Sequence, residues 1–594
     1  MPQNKKIKKF CLCYFIIIIL CSFSLVGCDL DQANEVIINS FESVQSGFTN
    51  IFLKKADDLA TTSTPSFNNS SSISPIDNFD ILGYDLDQLQ NSFTYSSQEE
   101  VIILEEPEYG GELVLSMRMP KSLNPLINLD YTVDSILKLI FEPLFTIDET
   151  NLKPIPNLAT DYTLTPDGKT ITINMRDDIF WSNGNAITAH DVKFSLDVIQ
   201  LNPDGLYYNI FNNILDYSVV NNSIVINYIE PFGFSAYDLC FPIISQAYYN
   251  NKLEIDNFEN LNPMGSGNYM LLNYRLANEL ILEKITNFKG SPYIDSIRVL
   301  ITPDLETDLY AFERNVINSI ATNFSMWGDL NSTREKLATG ILSNNFEYLG
   351  FNFEKEVFNN LEVRKAIAYA IPKDEILNNI YLSNGTTALT PINTNSYIGI
   401  SNIGEEEYFE TYSYDIKSSV DALEKSGIPE EQAVFNLLVN AENKERVETA
   451  ELIQRRLVQV GIQINIIQKP FNEYIQDLED SNFDIFLGGI DFGTKPNFKS
   501  FLTEAGLGQY GLNYQNYYDM KMTLLVDGLY NSVSEYSLAT SSIEFQKYFA
   551  EQLPVVGIVF KNHMLATDYT IRGTKAPTIY SQYNNIHNWY IKQE

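Results

Sequence analysis

The stretch Val434-Phe435-Asn436-Leu437-Leu438-Val439 opens the segment whose reading decides the fold. It is a mostly apolar run of strand length. Ala450, Ile453, Leu457 and Val460 follow at spacings of three and four, which places them on one helical face. Gly461 stops that helix, and Ile462, Ile464 and Ile466 then alternate as a second strand. A strand, a crossover helix and another strand imply a parallel pair. The body of the chain is therefore expected to be α/β.

Working upstream, Ile171, Ile173 and Met175 show the period of two that marks a strand, and Asp167-Gly168 before them is a hairpin-turn signal. The folded body is expected to begin near Gly110-Gly111-Glu112-Leu113-Val114. Residues 29–108 read as a prelude. Val36, Ile37, Ile38, Phe41 and Val44 suit a short amphipathic helix, and Thr61-Thr62-Ser63-Thr64 and Asn68-Asn69-Ser70-Ser71-Ser72 make a polar, low-complexity linker. No internal repeat is evident.

The amino terminus carries an address. Lys5, Lys6, Lys8 and Lys9 precede an apolar run over 10–26, and Leu25-Val26-Gly27 precedes Cys28. A basic start, a short apolar core and small residues at the cut mark a secretory signal. Leu25-Val26-Gly27-Cys28 also resembles a bacterial lipobox, whose cysteine is lipidated and becomes the first residue of the mature protein. The competing reading is a transmembrane anchor, but spanning needs about 20 apolar residues. The run is shorter and Ser22 and Ser24 interrupt it. On the lipobox reading residues 1–27 are the signal peptide, Cys28 carries lipid (palmitate among its acyl chains) and residues 28–108 are the tether. Stable anchoring takes two acyl chains.

Composition bounds the rest. In 594 residues, 44% are hydrophobic and 20% charged, which suits a water-soluble body with a substantial core. Forty basic against 76 acidic side chains give −36, and removing residues 1–27 leaves 36 against 76. Such a surface repels phosphate backbones, so nucleic acid is not an expected partner. Of five cysteines only Cys240 lies beyond Cys28, so the mature chain has no intramolecular disulfide. Cys240, within Leu239-Cys240-Phe241-Pro242, reads as a buried bystander.

Catalytic motifs are missing. His190, His563 and His587 are the only histidines, none belongs to an H-E-x-x-H pair, and no C-x-x-C survives signal removal, so no metal site or cofactor is expected. The chain has no G-x-S-x-G elbow and no phosphate-binding G-x-x-x-x-G-K-[ST] loop. Gly265-Ser266-Gly267, beside Pro263, reads as a tight turn. Acidic runs such as Glu405-Glu406-Glu407 read as solvated faces.

Several blocks in fixed order carry a family resemblance. They begin with Leu123-Asn124-Pro125-Leu126 and Phe141-Glu142-Pro143-Leu144. Pro156-Asn157-Leu158-Ala159, Asp167-Gly168-Lys169-Thr170, Phe180-Trp181-Ser182-Asn183-Gly184 and Ile187-Thr188-Ala189-His190-Asp191-Val192 follow. Pro263-Met264-Gly265-Ser266-Gly267, Val363-Arg364-Lys365-Ala366-Ile367-Ala368-Tyr369 and Leu553-Pro554-Val555-Val556-Gly557 complete the order. Together they resemble the extracellular solute-binding proteins of family 5, receptors of oligopeptide and dipeptide ABC importers. Thr188 with Asp191 also reads as a helix capping box, and the 363–371 segment as packed helix.

The resemblance implies a periplasmic-binding-protein-like type II fold, α/β, with two hinged lobes and an extra domain. Lobe I would comprise 109–148, 264–348 and 554–594, the extra domain 149–263, and lobe II 349–553. It implies a receptor and not an enzyme, expected to be a monomer. Its partners would be a peptide ligand, a membrane permease and, through Cys28, the extracellular face of the cell membrane. In peptide-binding members an aspartate after a Gly-Trp pair neutralises the peptide amine. The matching passage is Gly488-Gly489-Ile490-Asp491-Phe492-Gly493-Thr494-Lys495-Pro496, which makes Asp491 the candidate. Ile490 stands where the tryptophan is expected, and Lys495 adds a positive charge. Asn318 falls where relatives carry an aspartate after a glycine, and Asn315 replaces that glycine. Trp327 is a candidate cleft aromatic, and Asn352 matches an asparagine on a strand near the hinge. A nickel complex, a sugar or a signalling peptide remains an alternative solute, and a tethered hydrolase or a surface adhesin an alternative class.

Overall fold

The computed structural model describes residues 106–250, 258–322, 335–399, 409–493, 497–508, 511–574, 577–578, 580 and 581–592. Cys28 with tether residues 28–105, Trp327, Glu405 to Glu407 and Lys495 lie outside the described residues. Residues 103–594 make one compact unit.

The deciding segment folds as its periodicity requires. Strands Val434–Asn440 and Gln463–Lys469 pair in parallel, Val434 opposite Gln463, and helix Lys444–Val458 crosses between them. The Asn443 side chain caps the helix by accepting from Arg446 N, and Gly461 turns the chain at a φ of +90°. Ala450, Ile453 and Leu457 are fully buried against Leu437, Ile462 and Ile485 in one core.

Three sheets organise the body. Glu112–Met117, Ser296–Ile301, Glu279–Lys284 and Tyr269–Arg275 form a four-stranded sheet, parallel at its first pair and antiparallel after it. Ala159–Leu164, Thr170–Met175, Ser223–Tyr228 and Ile214–Val220 form an antiparallel sheet in which Ile171, Ile173, Ile224 and Ile226 face inward. Gly168, at a φ of +68°, makes the expected hairpin turn into Thr170–Met175. Helix Ala189–Gln200 covers that sheet and starts with the expected Thr188–Asp191 capping box.

The third and largest sheet runs Ser319–Thr322, Val555–Asp568, Lys336–Phe351, Ile485–Asp491, Val434–Asn440 and Gln463–Lys469, with Gly385–Thr387 beside Val555–Asp568. Its two central strands are unusually long, 16 and 14 residues. Lys336 to Ile341 pair with Asp568 to His563, the ladder breaks, and Asn345 to Gly350 pair with Lys561 to Val555. Their two ends serve different cores. Met564 and Ala566 pack with Val114, Phe312 and Ile320, whereas Leu349, Phe351, Val556 and Val559 pack with Val363, Ile367 and Leu437. At the break, Ser343 Oγ donates to Lys561 O at 2.7 Å and Asn393 Nδ2 donates to Ser343 O at 2.6 Å, so side chains replace the interrupted ladder. The two strands thus cross from one core to the other and lose their ladder midway.

Asn315 lies beside this frame in the left-handed region, φ +57°, where glycine is least strained and asparagine is tolerated. Asn318 ties strands together: its Oδ1 accepts from Val114 N at 2.8 Å and its Nδ2 donates to Asp568 Oδ2 at 2.7 Å. Gly265 and Gly267 differ from the turn reading. Neither has positive φ; a Cβ on Gly265 would lie 1.9 Å from Ile140 O, and one on Gly267 2.3 Å from Leu139 O. Close backbone approach is the reason for those glycines.

Candidate ligand cleft

A cavity of about 950 Å³ lies where the antiparallel sheet's loops meet the far part of the large sheet. One wall comes from residues 209–238, including Asn209, Asn213, Glu230 and Asp238; the other comes from residues 490–531, including Asp491, Lys499, Asp527 and Tyr530. Beside it the two walls touch. Gly233 N donates to Tyr530 O at 2.6 Å, and the rings of Phe232 and Tyr530 stack with centroids 6.2 Å apart. Further along the seam Lys153 Nζ reaches Glu535 Oε1 at 2.7 Å and Tyr397 N donates to Asn151 O at 2.7 Å.

Asp491 ends strand Ile485–Asp491 and lines the cavity. Its Oδ1 accepts from Gly493 N at 2.8 Å, and its Oδ2 lies 3.3 Å from His563 Nε2, which stands on the long strand Val555–Asp568 on the far side of Lys336–Phe351. Burial works to raise the Asp491 pKa, but the hydrogen bonds from His563 and Gly493 N–H outweigh it and hold the carboxyl below its ordinary range. The group is about two-fifths exposed, and each carboxylate oxygen can accept more than one hydrogen bond, so an incoming ammonium finds acceptor capacity. Ile490, in the position where the resemblance led us to expect tryptophan, is buried in the apolar core and also borders the cavity beside Asp491.

Asn352 follows the long strand Lys336–Phe351 and is nearly inaccessible. Its Nδ2 donates to Ser481 O and Phe483 O at 3.0 and 2.9 Å, and its Oδ1 accepts from Glu354 N at 3.0 Å. Its hydrogen-bonding groups are directed at backbone, and it does not line the cavity.

Behind the Asp491 strand sits a charged group that sequence reasoning missed. Glu347, on Lys336–Phe351 opposite Gly489, is almost fully buried. Arg446 Nε donates to its Oε2 at 2.7 Å, Arg446 Nη2 to its Oε1 at 3.1 Å, and Lys561 Nζ lies 2.7 Å from Oε1. Burial alone raises a carboxyl pKa; the two cations reverse the effect and bring Glu347 to about 2. A Cβ on Gly489 would lie 2.2 Å from Arg446 Nη2, so glycine is what lets the ion pair lie across the strand. The three charged residues come from separate elements, and no local motif joins them.

Cys240 is buried, its thiol pKa pushed well up by desolvation, and its Sγ lies 3.7 Å from Ala236 O. Among the described residues no group of three His, Cys, Asp or Glu side chains could hold a metal ion, and no helix is long and apolar enough to cross a membrane.

An α/β body with a cavity between two walls of loops and strand ends has the form of a binding receptor. The chain belongs to the bacterial extracellular solute-binding proteins, family 5, whose middle-region model matches residues 153–509, more than half of its length. It is 23% identical to the dipeptide-binding protein of Escherichia coli K12 over 67% of this chain and 79% of that protein. It is 24% identical to the oligopeptide-binding protein AppA of Bacillus subtilis 168 over 82% of this chain and 92% of that one. In fold it is similar to the ABC transporter substrate-binding protein CtaP of Listeria monocytogenes, with a TM-score of 0.68 at 21% identity, covering 82% of this chain and all of that one. The fold class expected from the sequence is thus the one observed. The chain is a solute-binding receptor of the ABC-importer type, not an enzyme, and works outside the cytoplasm.

Proposed function

We propose that this receptor takes oligopeptides into the cavity between residues 209–238 and 490–531 and delivers them to an ABC permease. In this reading 109–148, 264–348 and 554–594 make one lobe, 349–553 the other and 149–263 the extra domain. Lipid on Cys28 holds the receptor at the extracellular face of the cell membrane. The carrying observation is the cavity: about 950 Å³, at the upper end for small-molecule sites, with Asp491 on one wall and the two long strands behind it. Closure would couple to ligand because contacts to both walls exist only in the closed form.

Mass spectrometry of ligands retained by natively purified protein tests this. A mixture of short peptides is expected; a retained nickel complex or sugar, or turnover of a substrate, overturns it. Asp491→Asn should weaken binding of peptides with a free amine about tenfold, the size of one charge-assisted contact, and leave N-acetylated peptides unaffected. Equal affinity of both proteins for free-amine peptides removes Asp491 from that role. Cys28→Ser should release the receptor into the medium, and continued retention in the membrane fraction would indicate an uncleaved anchor.

A further inference from the structure

We infer that Lys373 is a covalent capture site for small aromatic aldehydes, separate from the peptide cleft. The residue lines a second cavity, of about 660 Å³, formed by residues 372–375, 387–389, 394, 409 and 411–414, none of which borders the cleft. Lys373 opens helix Lys373–Asn379, and its Nζ donates at 3.1 Å to the carbonyl of Ala388, just past strand Gly385–Thr387. Among the described residues that is its one hydrogen bond, and it has no ion pair. Other shielded lysines differ in this respect. Lys138, Lys289, Lys336 and Lys561 each hold a carboxylate.

An ammonium so placed has lost water without gaining a counter-charge in contact. Burial pushes the amine down to about 8, although the nearby Asp374 charge works the other way. At about pH 8 roughly half of the side chain is then free amine, against under about a hundredth of an ordinary lysine. A neutral amine that uses one N–H on Ala388 O keeps its lone pair for the cavity. Attack on an aldehyde carbon forms the N–C bond and breaks the carbonyl π bond, giving a carbinolamine. Both amine hydrogens then leave with the former carbonyl oxygen as water, and a C=N bond remains. Nothing is oxidised or reduced. Once protonated, the imine regains an N–H for Ala388 O, with Asp374 on the same wall to offset its charge. Thr387 and Thr394 place hydroxyls on the lining that can donate to the carbonyl oxygen before attack. Leu389, Phe409 and Tyr412 supply the apolar and aromatic surface that favours an aromatic aldehyde.

Limited labelling of the full receptor with benzaldehyde, quenched with borohydride to fix any imine as a secondary amine, tests the inference by peptide mapping. At neutral pH the adduct is expected to form at Lys373 at least tenfold faster than at the exposed lysines Lys417 and Lys444. Its yield should level off above about pH 8, where labelling of an ordinary lysine is still climbing. Lys373→Arg keeps a donor for Ala388 O and should lose the fast adduct while retaining the same peptides as wild type. Labelling spread evenly over the lysines overturns the inference, and so does fast labelling at Lys373 that keeps climbing beyond about pH 9, as an ordinary amine's would. Both outcomes are read on wild type, so they stand even if the variant does not fold. Loss of peptide retention in a folded Lys373→Arg protein contradicts the separation from the cleft.

Discussion

Glu347→Ala is expected to destabilise the receptor by about 3–5 kcal/mol, the range for removing one partner of a buried ion pair. The cause is the cations left behind. Arg446 and Lys561 lie 2.7 Å from the Glu347 carboxylate, and their side chains are 13% and 24% exposed. Without it, two charges sit in a poorly hydrated site with no carboxylate. The double variant Glu347→Leu with Arg446→Met should lose less than the sum of the single changes, because it removes a second charge together with the first. Chemical denaturation of wild type, Glu347→Ala, Glu347→Leu, Arg446→Met and the double variant measures this, and a loss below about 1 kcal/mol in Glu347→Ala contradicts it.

The same pair gives a pH dependence of defined sign. The folded Glu347 carboxyl titrates at about 2, against 4.5 for an unperturbed glutamate. A depressed folded pKa means that its contribution is fully present above about pH 4.5 and is lost as pH falls towards 2. The difference corresponds to about 3 kcal/mol. Wild-type stability should fall across that window, and Glu347→Gln should lack this component of the fall. A Glu347→Gln curve parallel to wild type through the window would contradict the assignment.

The second large effect is on ligand binding. Gly233→Val should weaken ligand affinity at least tenfold while leaving the melting temperature within a few degrees. Gly233 donates to Tyr530 O across the seam, and a Cβ there would lie 2.6 Å from Ser532 O and 2.9 Å from Leu529 O. These are backbone atoms that cannot rotate away. The Gly233 backbone has no positive φ, so the added side chain obstructs the seam without straining its own residue. The cost is expected to appear chiefly in ligand binding. Gly233→Ala should show the same effect at smaller size, and wild-type affinity in Gly233→Val would show that the seam takes no part in closure.

What the sequence disclosed follows from how local each cause is. The 434–466 unit was legible because apolar spacing within one segment sets strand, helix and strand. The Thr188–Asp191 box and the Asp167-Gly168 turn were legible for the same reason, since each is decided within four residues. The long strand Lys336–Phe351 was not legible. Gly340 and the pair Asn344-Asn345 look like interruptions, and pairing with Val555–Asp568 on both sides of the break overrides them. Gly265 and Gly267 looked like a turn because the carbonyls that require them belong to residues 139 and 140.

The site was less legible than the fold. Asp491 stood out through its family passage, but its partner His563 is 72 residues away and carried no motif. Glu230, Asp238 and Asp527 were three acids among 76, and only folding places them around one cavity. Aromatic side chains do not mark the cavity either, because many of them fill the core. Phe346, Tyr348, Phe486 and Phe501 form a contiguous cluster within the core, with neighbouring ring centroids 5.2–5.6 Å apart along the chain Phe346–Tyr348, Tyr348–Phe486 and Tyr348–Phe501.

The central claim is that solute is held between residues 209–238 and residues 490–531. Hydrogen–deuterium exchange of the receptor with and without a saturating retained peptide tests it most directly. The account predicts simultaneous protection of 209–213, 230–233 and 490–493, with slower exchange at the Gly233–Tyr530 seam. Protection confined to one wall, or lying wholly outside both, would contradict it.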